Sequence, residues 1–198
     1  MVKGEHRSPI TKENRTEVKN RKRNNNDPLS KREVERVLSK VDNLRDYTLL
    51  LFGFYSGVRV SELAFDHNSV SWNEGFVNIW DEKKDRYRRV YVPEGVLDAL
   101  RRYWNERRDR KDPRFFGMSS KTVERVIQGW TGEVLERPKS WHCVRHTYIT
   151  QSFESSIPIS IVIENTGDKP ATILQYYTKL SPTYIKEQVN GKLLFNQI

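Results

Sequence analysis

The sequence predicts a mainly α-helical domain carrying one small antiparallel β-sheet, an α+β fold. Three observations carry that expectation. From Ser30 onward, cap and stop residues bracket runs whose apolar residues fall at helical spacing. Between Phe76 and Val92 the apolar period shifts to two. Residues 1–26 show no apolar period at all.

The elements follow in order. Ser30-Lys31-Arg32-Glu33 has the form of a capping box and opens a helix with Val34, Val37 and Leu38 on one face. A second helix over about 44–56 carries Leu49-Leu50-Leu51-Phe52, the mark of a core helix, and Gly57 stops it. A short helix follows, with Arg59 near its start and Glu62 and Leu63 in its first turns. Phe76–Trp80 and Tyr87–Val92 read as two antiparallel strands, with the charged stretch 81–86 as their turn. Pro93-Glu94 opens a helix to about residue 108. Further helices fit 122–135, 141–155, 160–165 and 172–178, and a last one follows Ser181-Pro182.

The chain has 198 residues, a net charge of +9 and a pI near 9.6, so a polyanion is the expected partner. Residues 1–26 hold eight Lys or Arg against three Glu and read as a disordered basic arm, with Arg21, Lys22 and Arg23 as candidate phosphate contacts. Residues 27–198 form the folded domain, its tail helix at 181–198 included. The single cysteine, Cys143, excludes an internal disulfide framework and reads as a small apolar filler rather than a nucleophile. No secretory signal is visible, and the longest apolar stretch, Tyr47 to Tyr55, is too short to span a membrane. A cytoplasmic protein is expected. No cysteine–histidine cluster has metal-ligand spacing, and neither a metal nor another cofactor is expected.

Four scattered residues can do chemistry together. Two guanidinium groups, Arg59 and Arg145, can hold one phosphate diester, because each planar fork presents two donors and keeps its charge. His142 lies three residues before Arg145, so both share one helix face. His146 is off that face and reads as a structural hydrogen-bonding residue. Glu62 lies three residues after Arg59 and can fix its rotamer. A phenol, Tyr176 or Tyr177, can attack phosphorus and leave again, because a phenolate is a better leaving group than an alkoxide.

Three blocks carry a resemblance. Tyr55-Ser56-Gly57-Val58-Arg59-Val60-Ser61-Glu62-Leu63, then Trp141-His142-Cys143-Val144-Arg145-His146-Thr147-Tyr148, then Asn165-Thr166-Gly167-Asp168-Lys169-Pro170 through Tyr176-Tyr177-Thr178 resemble, in order, the boxes of the lambda-integrase type tyrosine recombinases. The similarity covers roughly residues 28–185. It implies a catalytic domain that cuts and rejoins double-stranded DNA through a 3′-phosphotyrosyl intermediate. The nucleophile falls ten residues past the glycine of the last box, which selects Tyr177 over Tyr176. The resemblance further implies a hairpin lysine that protonates the leaving 5′-oxygen; Lys83 fits the family spacing better, with Lys84 as the alternate. The resemblance also implies a homo-tetramer on paired attachment-type sites. Integration or excision of a mobile element is the expected role. A type IB topoisomerase-like activity and a catalytically impaired DNA-binding regulator are the alternatives.

Two departures stand out. The family has histidine or tryptophan where this chain has Asp168, whose ionised carboxylate repels a phosphate. Either Asp168 turns away and Lys169 contributes, or the site is tuned lower. Members also carry an N-terminal clamp domain, so the chain is expected to be a catalytic domain cut from a longer integrase or a minimal recombinase.

Overall fold

The structure, a computed structural model, describes residues 26–108, 111–177 and 186. Its elements are α1 (Lys31–Lys40), α2 (Leu44–Ser56), two 3₁₀ turns (Val60–Ala64 and His67–Ser69), β1 (Val70–Ser71), β2 (Phe76–Asp81), β3 (Arg86–Tyr91), α3 (Glu94–Glu106), α4 (Ser120–Leu135), α5 (Trp141–Glu154), α6 (Ile159–Thr166) and α7 (Pro170–Tyr177). The mainly helical α+β expectation holds. The basic arm with Arg21, Lys22 and Arg23, and the tail helix at 181–198 apart from Lys186, lie outside the described residues.

Helix ends form where local chemistry satisfies them. The Ser30 N–H donates to the Glu33 carboxylate and the Glu33 N–H to the Ser30 hydroxyl, closing both ends of the capping box. Gly57 ends α2 at φ 64, and its N–H donates to the Gly53 carbonyl. α3 ends at Glu106, two residues short of the expected 108.

The sheet runs β1-β2-β3, all antiparallel, with β2 and β3 paired from Phe76↔Tyr91 to Asp81↔Arg86. The sequence led to two strands and missed β1. Two residues, Val70 and Ser71, are too few to show a period. The outer edge of β3 is covered by a side chain. Asn165 accepts from the Tyr91 N–H and donates to the Tyr91 carbonyl, both at 2.9 Å, as a neighbouring strand would.

One core joins α2 to α5. Leu49, Leu50 and Phe52 pack with the fully buried Trp141 and Val144 in the same cluster. A second cluster of Tyr148, Ile149, Phe153, Val162 and Ile173 seats α6 and α7 on the other end of α5. α5 is thus buried on several sides, which fixes its side chains for the site. No helix among the described residues is long and apolar enough to cross a membrane.

Candidate active site

Arg59 is set by the turn that follows α2. It stands in extended backbone just before the 3₁₀ turn Val60–Ala64. Glu62, on that turn, accepts from the Arg59 backbone N–H at 2.6 Å and from its Nη1 at 2.8 Å. The expected rotamer lock is present. Glu62 also accepts two parallel hydrogen bonds, 2.9 and 2.8 Å, from Arg88 on β3. Arg88 is buried, and its Nε donates to the Asn165 carbonyl at 3.2 Å. The sequence reading missed Arg88. Its signal was strand phase: residues 88, 90 and 92 alternate together, and Val90 and Val92 face inward.

Arg145 comes from α5 and is only 3% exposed. Its Nη1 donates to the Gly57 carbonyl at 2.5 Å and its Nη2 to the Thr166 carbonyl at 2.8 Å. The same helix grips the Arg59 loop a second time, because the Trp141 indole N–H donates to the Val58 carbonyl at 2.9 Å. The two carbonyls just before the first arginine are therefore held by the helix that carries the second.

Asp168 lies between them. Its Oδ1 is 2.6 Å from Arg59 Nη2 and its Oδ2 is 2.6 Å from Arg145 Nη2. The alternative in which Asp168 turns away and Lys169 contributes is corrected. Asp168 faces both guanidinium groups, because two cations converging on one point attract the nearest free carboxylate. Lys169 is exposed, and its backbone carbonyl accepts from Thr172 and Ile173 at the start of α7.

Asp81 completes the ring of charge. It is 2% exposed at the end of β2, with Oδ1 3.9 Å from Arg59 Nη1 and Oδ2 4.0 Å from Lys84 Nζ. Three guanidinium groups (Arg59, Arg88, Arg145) thus meet three carboxylates (Glu62, Asp81, Asp168). Burial works against the charge on Arg59, but Glu62, Asp168 and Asp81 outweigh it and hold its pKa above the ordinary value. Arg145 is deeper, and there burial prevails over Asp168 and lowers its pKa.

The remaining candidates sit around this ring. His142 stands one turn from Arg145, its ring centroid 4.1 Å from that of His146. Burial and the Arg145 charge hold the His142 pKa below the usual histidine value. His146 meets the Asn26 carbonyl through Nδ1 at 2.9 Å, in line with a structural part. Lys83 is exposed and lines a cleft of about 440 Å³ together with Arg59, Trp80 and Asp81, whereas Lys84 leans on Asp81. Tyr176 packs on the second core cluster, edge-on to His146, and burial raises its pKa. Tyr177 is the last residue of α7; its side chain lies outside what the structure describes. Burial pushes the Cys143 thiol up to about 11, which suits a filler and not a nucleophile.

Such an arrangement can bind an anion between two forked cations and place a histidine beside it. In sequence and in fold the chain is similar to known proteins. The model of the phage integrase family matches residues 28–183. Tyrosine recombinase XerA of Pyrococcus horikoshii is 27% identical over 183 residues, which cover 86% of this chain and 62% of that protein. The chain therefore spans a little under two thirds of that relative's length. The crystal structure of XerA recombinase aligns with a TM-score of 0.73 at 23% identity, covering 85% of this chain and 64% of that one. The catalytic domain of bacteriophage HP1 integrase aligns with a TM-score of 0.60 at 20% identity, covering 87% of this chain and 98% of that one.

Proposed function

Because the chain belongs to the phage integrase family, we propose that it carries the strand-cutting and strand-joining centre of a site-specific DNA recombinase. The observation that carries the reading is the meeting of Arg59 and Arg145 on a single carboxylate, each at 2.6 Å. Two guanidinium groups held that close together suit the two nonbridging oxygens of one phosphate diester.

The chemistry then assigns itself to residues. Arg59, Arg145 and His142 hold the scissile phosphate and stabilise the charge that grows on its oxygens in the transition state. The Tyr177 phenol gives its proton to solvent water as its oxygen bonds to phosphorus. The bond from phosphorus to the 5′-oxygen breaks, and a hairpin lysine, Lys83 in preference to Lys84, delivers a proton to that oxygen. A 3′-phosphotyrosyl link and a free 5′-hydroxyl result. A second 5′-hydroxyl gives its proton to the hairpin lysine and attacks the link, the Tyr177 phenolate leaves and regains a proton from solvent, and the DNA is rejoined, one phosphate ester exchanged for another at each step. Glu62 and Tyr176 support the site without touching phosphorus.

The substrate is duplex DNA with attachment-type sites, bound by four copies of the chain, and the role is integration or excision of a mobile element. The arm with Arg21, Lys22 and Arg23 adds sequence-independent phosphate contacts. The net charge of +9 favours such a partner.

A covalent trap tests the reading. The protein is incubated with a nicked suicide duplex and run on a denaturing gel beside Tyr177→Phe and Tyr176→Phe. A protein–DNA band lost only in Tyr177→Phe is expected. Loss only in Tyr176→Phe would move the nucleophile by one residue. Tight binding with no band in any form would favour the regulator reading, toward which Asp168 points.

A further inference from the structure

We propose that Asp168 is a built-in stand-in for the phosphate. It occupies the point where Arg59 and Arg145 converge and is displaced when a phosphate arrives. The inference rests on the reading of the two arginines as a phosphate site.

Each arginine has an anchor that does not depend on Asp168. Arg59 is held by Glu62 at 2.8 Å. Arg145 is held by the carbonyls of Gly57 and Thr166 at 2.5 and 2.8 Å. Losing Asp168 therefore leaves both forks in place, each with one donor free and aimed at the same point. The converse does not hold. Among the described residues, the hydrogen-bond and ion-pair partners of the Asp168 carboxylate are those two guanidinium groups.

The three carboxylates of the ring differ in how firmly they are held. Glu62 is 4% exposed at its side chain and fastened by both donors of Arg88. Asp81 is 2% exposed and closed in beneath Gly167. The Asp168 side chain is 14% exposed and stands on the short connector between α6 and α7, just after Gly167 at φ 67. Of the three it is the one with a route to water.

Charge points the same way. Within the ring itself the three guanidinium groups and the three carboxylates cancel, with Lys84 at its rim 4.0 Å from Asp81. A phosphate diester brings one further negative charge into a partly buried, balanced ring. Departure of Asp168 restores the balance and vacates the donors the phosphate needs. While it stays, the apparent affinity of the pair for any oxyanion falls by the fraction of time the pair is free. Stray phosphates are then refused, and only DNA held by many other contacts displaces the carboxylate.

Thermal unfolding of the full chain in inorganic phosphate, against sodium chloride at matched ionic strength, tests this without DNA or catalysis. Wild type should show little phosphate-specific rise in Tm. Asp168→Asn, which keeps the shape and loses the charge, should show a clear rise, with phosphate bound about tenfold more tightly or better. Adding Arg145→Gln to Asp168→Asn should abolish that rise. An equal rise in wild type and Asp168→Asn would overturn the proposal, since the site would already be open. A folded Asp168→Asn with no rise would overturn it too. If neither Asp168→Asn nor Asp168→Ser folds, the carboxylate is a fixed structural member, and the proposal also fails. Failure of the recombinase reading would show in the covalent trap and leave this result untouched.

Discussion

Arg145 donates a 2.5 Å hydrogen bond to the carbonyl of Gly57, a residue 88 positions earlier in the chain. The bond exists because Gly57 does two other things. It takes φ 64 to end α2, and it lets Tyr148 lie against its Cα. A Cβ at position 57 would stand 2.3 Å from Tyr148 Cδ1. The turn, the packing of α5 and the aim of Arg145 therefore depend on one missing side chain.

Gly57→Ala should therefore lose stability twice over. Left-handed backbone costs a non-glycine residue about 1–2 kcal/mol, and the overlap with Tyr148 adds about 1–3 kcal/mol. Gly75→Ala is the matched control. It has φ 77, but its new methyl would meet nothing nearer than 3.7 Å, so only the backbone cost applies. Urea unfolding of the two variants should show a clearly larger loss at Gly57. Equal losses would mean that Tyr148 moves aside freely.

Arg88 and Glu62 form a two-bond pair with side chains 5% and 4% exposed. Arg88→Met should strip one charge of its buried partner and cost about 3–5 kcal/mol. Arg88→Lys should restore little, because an ammonium group cannot supply two parallel donors. The double change Arg88→Met with Glu62→Leu should recover much of the stability, as buried pairs replaced by apolar residues often do. It should not recover strand cleavage, because Arg59 then loses its anchor. Recovery of both would show that Glu62 serves the fold alone.

The fold and the arginine pair were legible because their signals are local or periodic. Ser30 with Glu33, and Gly57 after Ser56, announce helix ends within four residues of sequence. Arg59 and Glu62 are neighbours on one turn, so their pairing follows from spacing. Arg88 was hidden between the arginines at 86 and 89, where a charged run reads as solvent-facing, although its phase with Val90 placed it inside. Asp168 had no local signal at all. Its position depends on two cations delivered from residues 59 and 145 by the packing of α2 on α5. Charge alone argued for repulsion from an anion site, whereas the two guanidinium groups themselves draw the carboxylate in.

The hairpin lysines separate by leaving group. Lys83 opens onto the cleft it shares with Arg59, while Lys84 Nζ is drawn to 4.0 Å from Asp81. Lys83→Ala should slow cleavage by about 10²–10⁴-fold, the range for loss of a general acid. A substrate with sulfur in place of the leaving 5′-oxygen needs no proton, so it should restore the rate of that variant. Lys84→Ala should be milder and insensitive to the substitution. If sulfur rescues Lys84→Ala instead, the acid is Lys84.

His142 makes stability depend on pH in a definite direction. Partial burial and the Arg145 charge lower its pKa in the folded protein, while Asp168 and Glu124 oppose the shift and Arg59 reinforces it. In the unfolded chain it titrates near the ordinary value of about 6.5. Between the two values the unfolded state binds more protons, so stability falls as pH falls below about 6.5 and is flat with respect to this group above it. His142→Gln should remove that part of the slope. A phosphate beside the ring favours the protonated imidazole, so bound DNA should remove it as well, and DNA should bind more tightly as pH falls through the same window. Unfolding midpoints between about pH 5 and 7, with and without duplex, read both effects. A His142→Gln slope identical to wild type in the free protein would mean that neither burial nor the Arg145 charge shifts the imidazole.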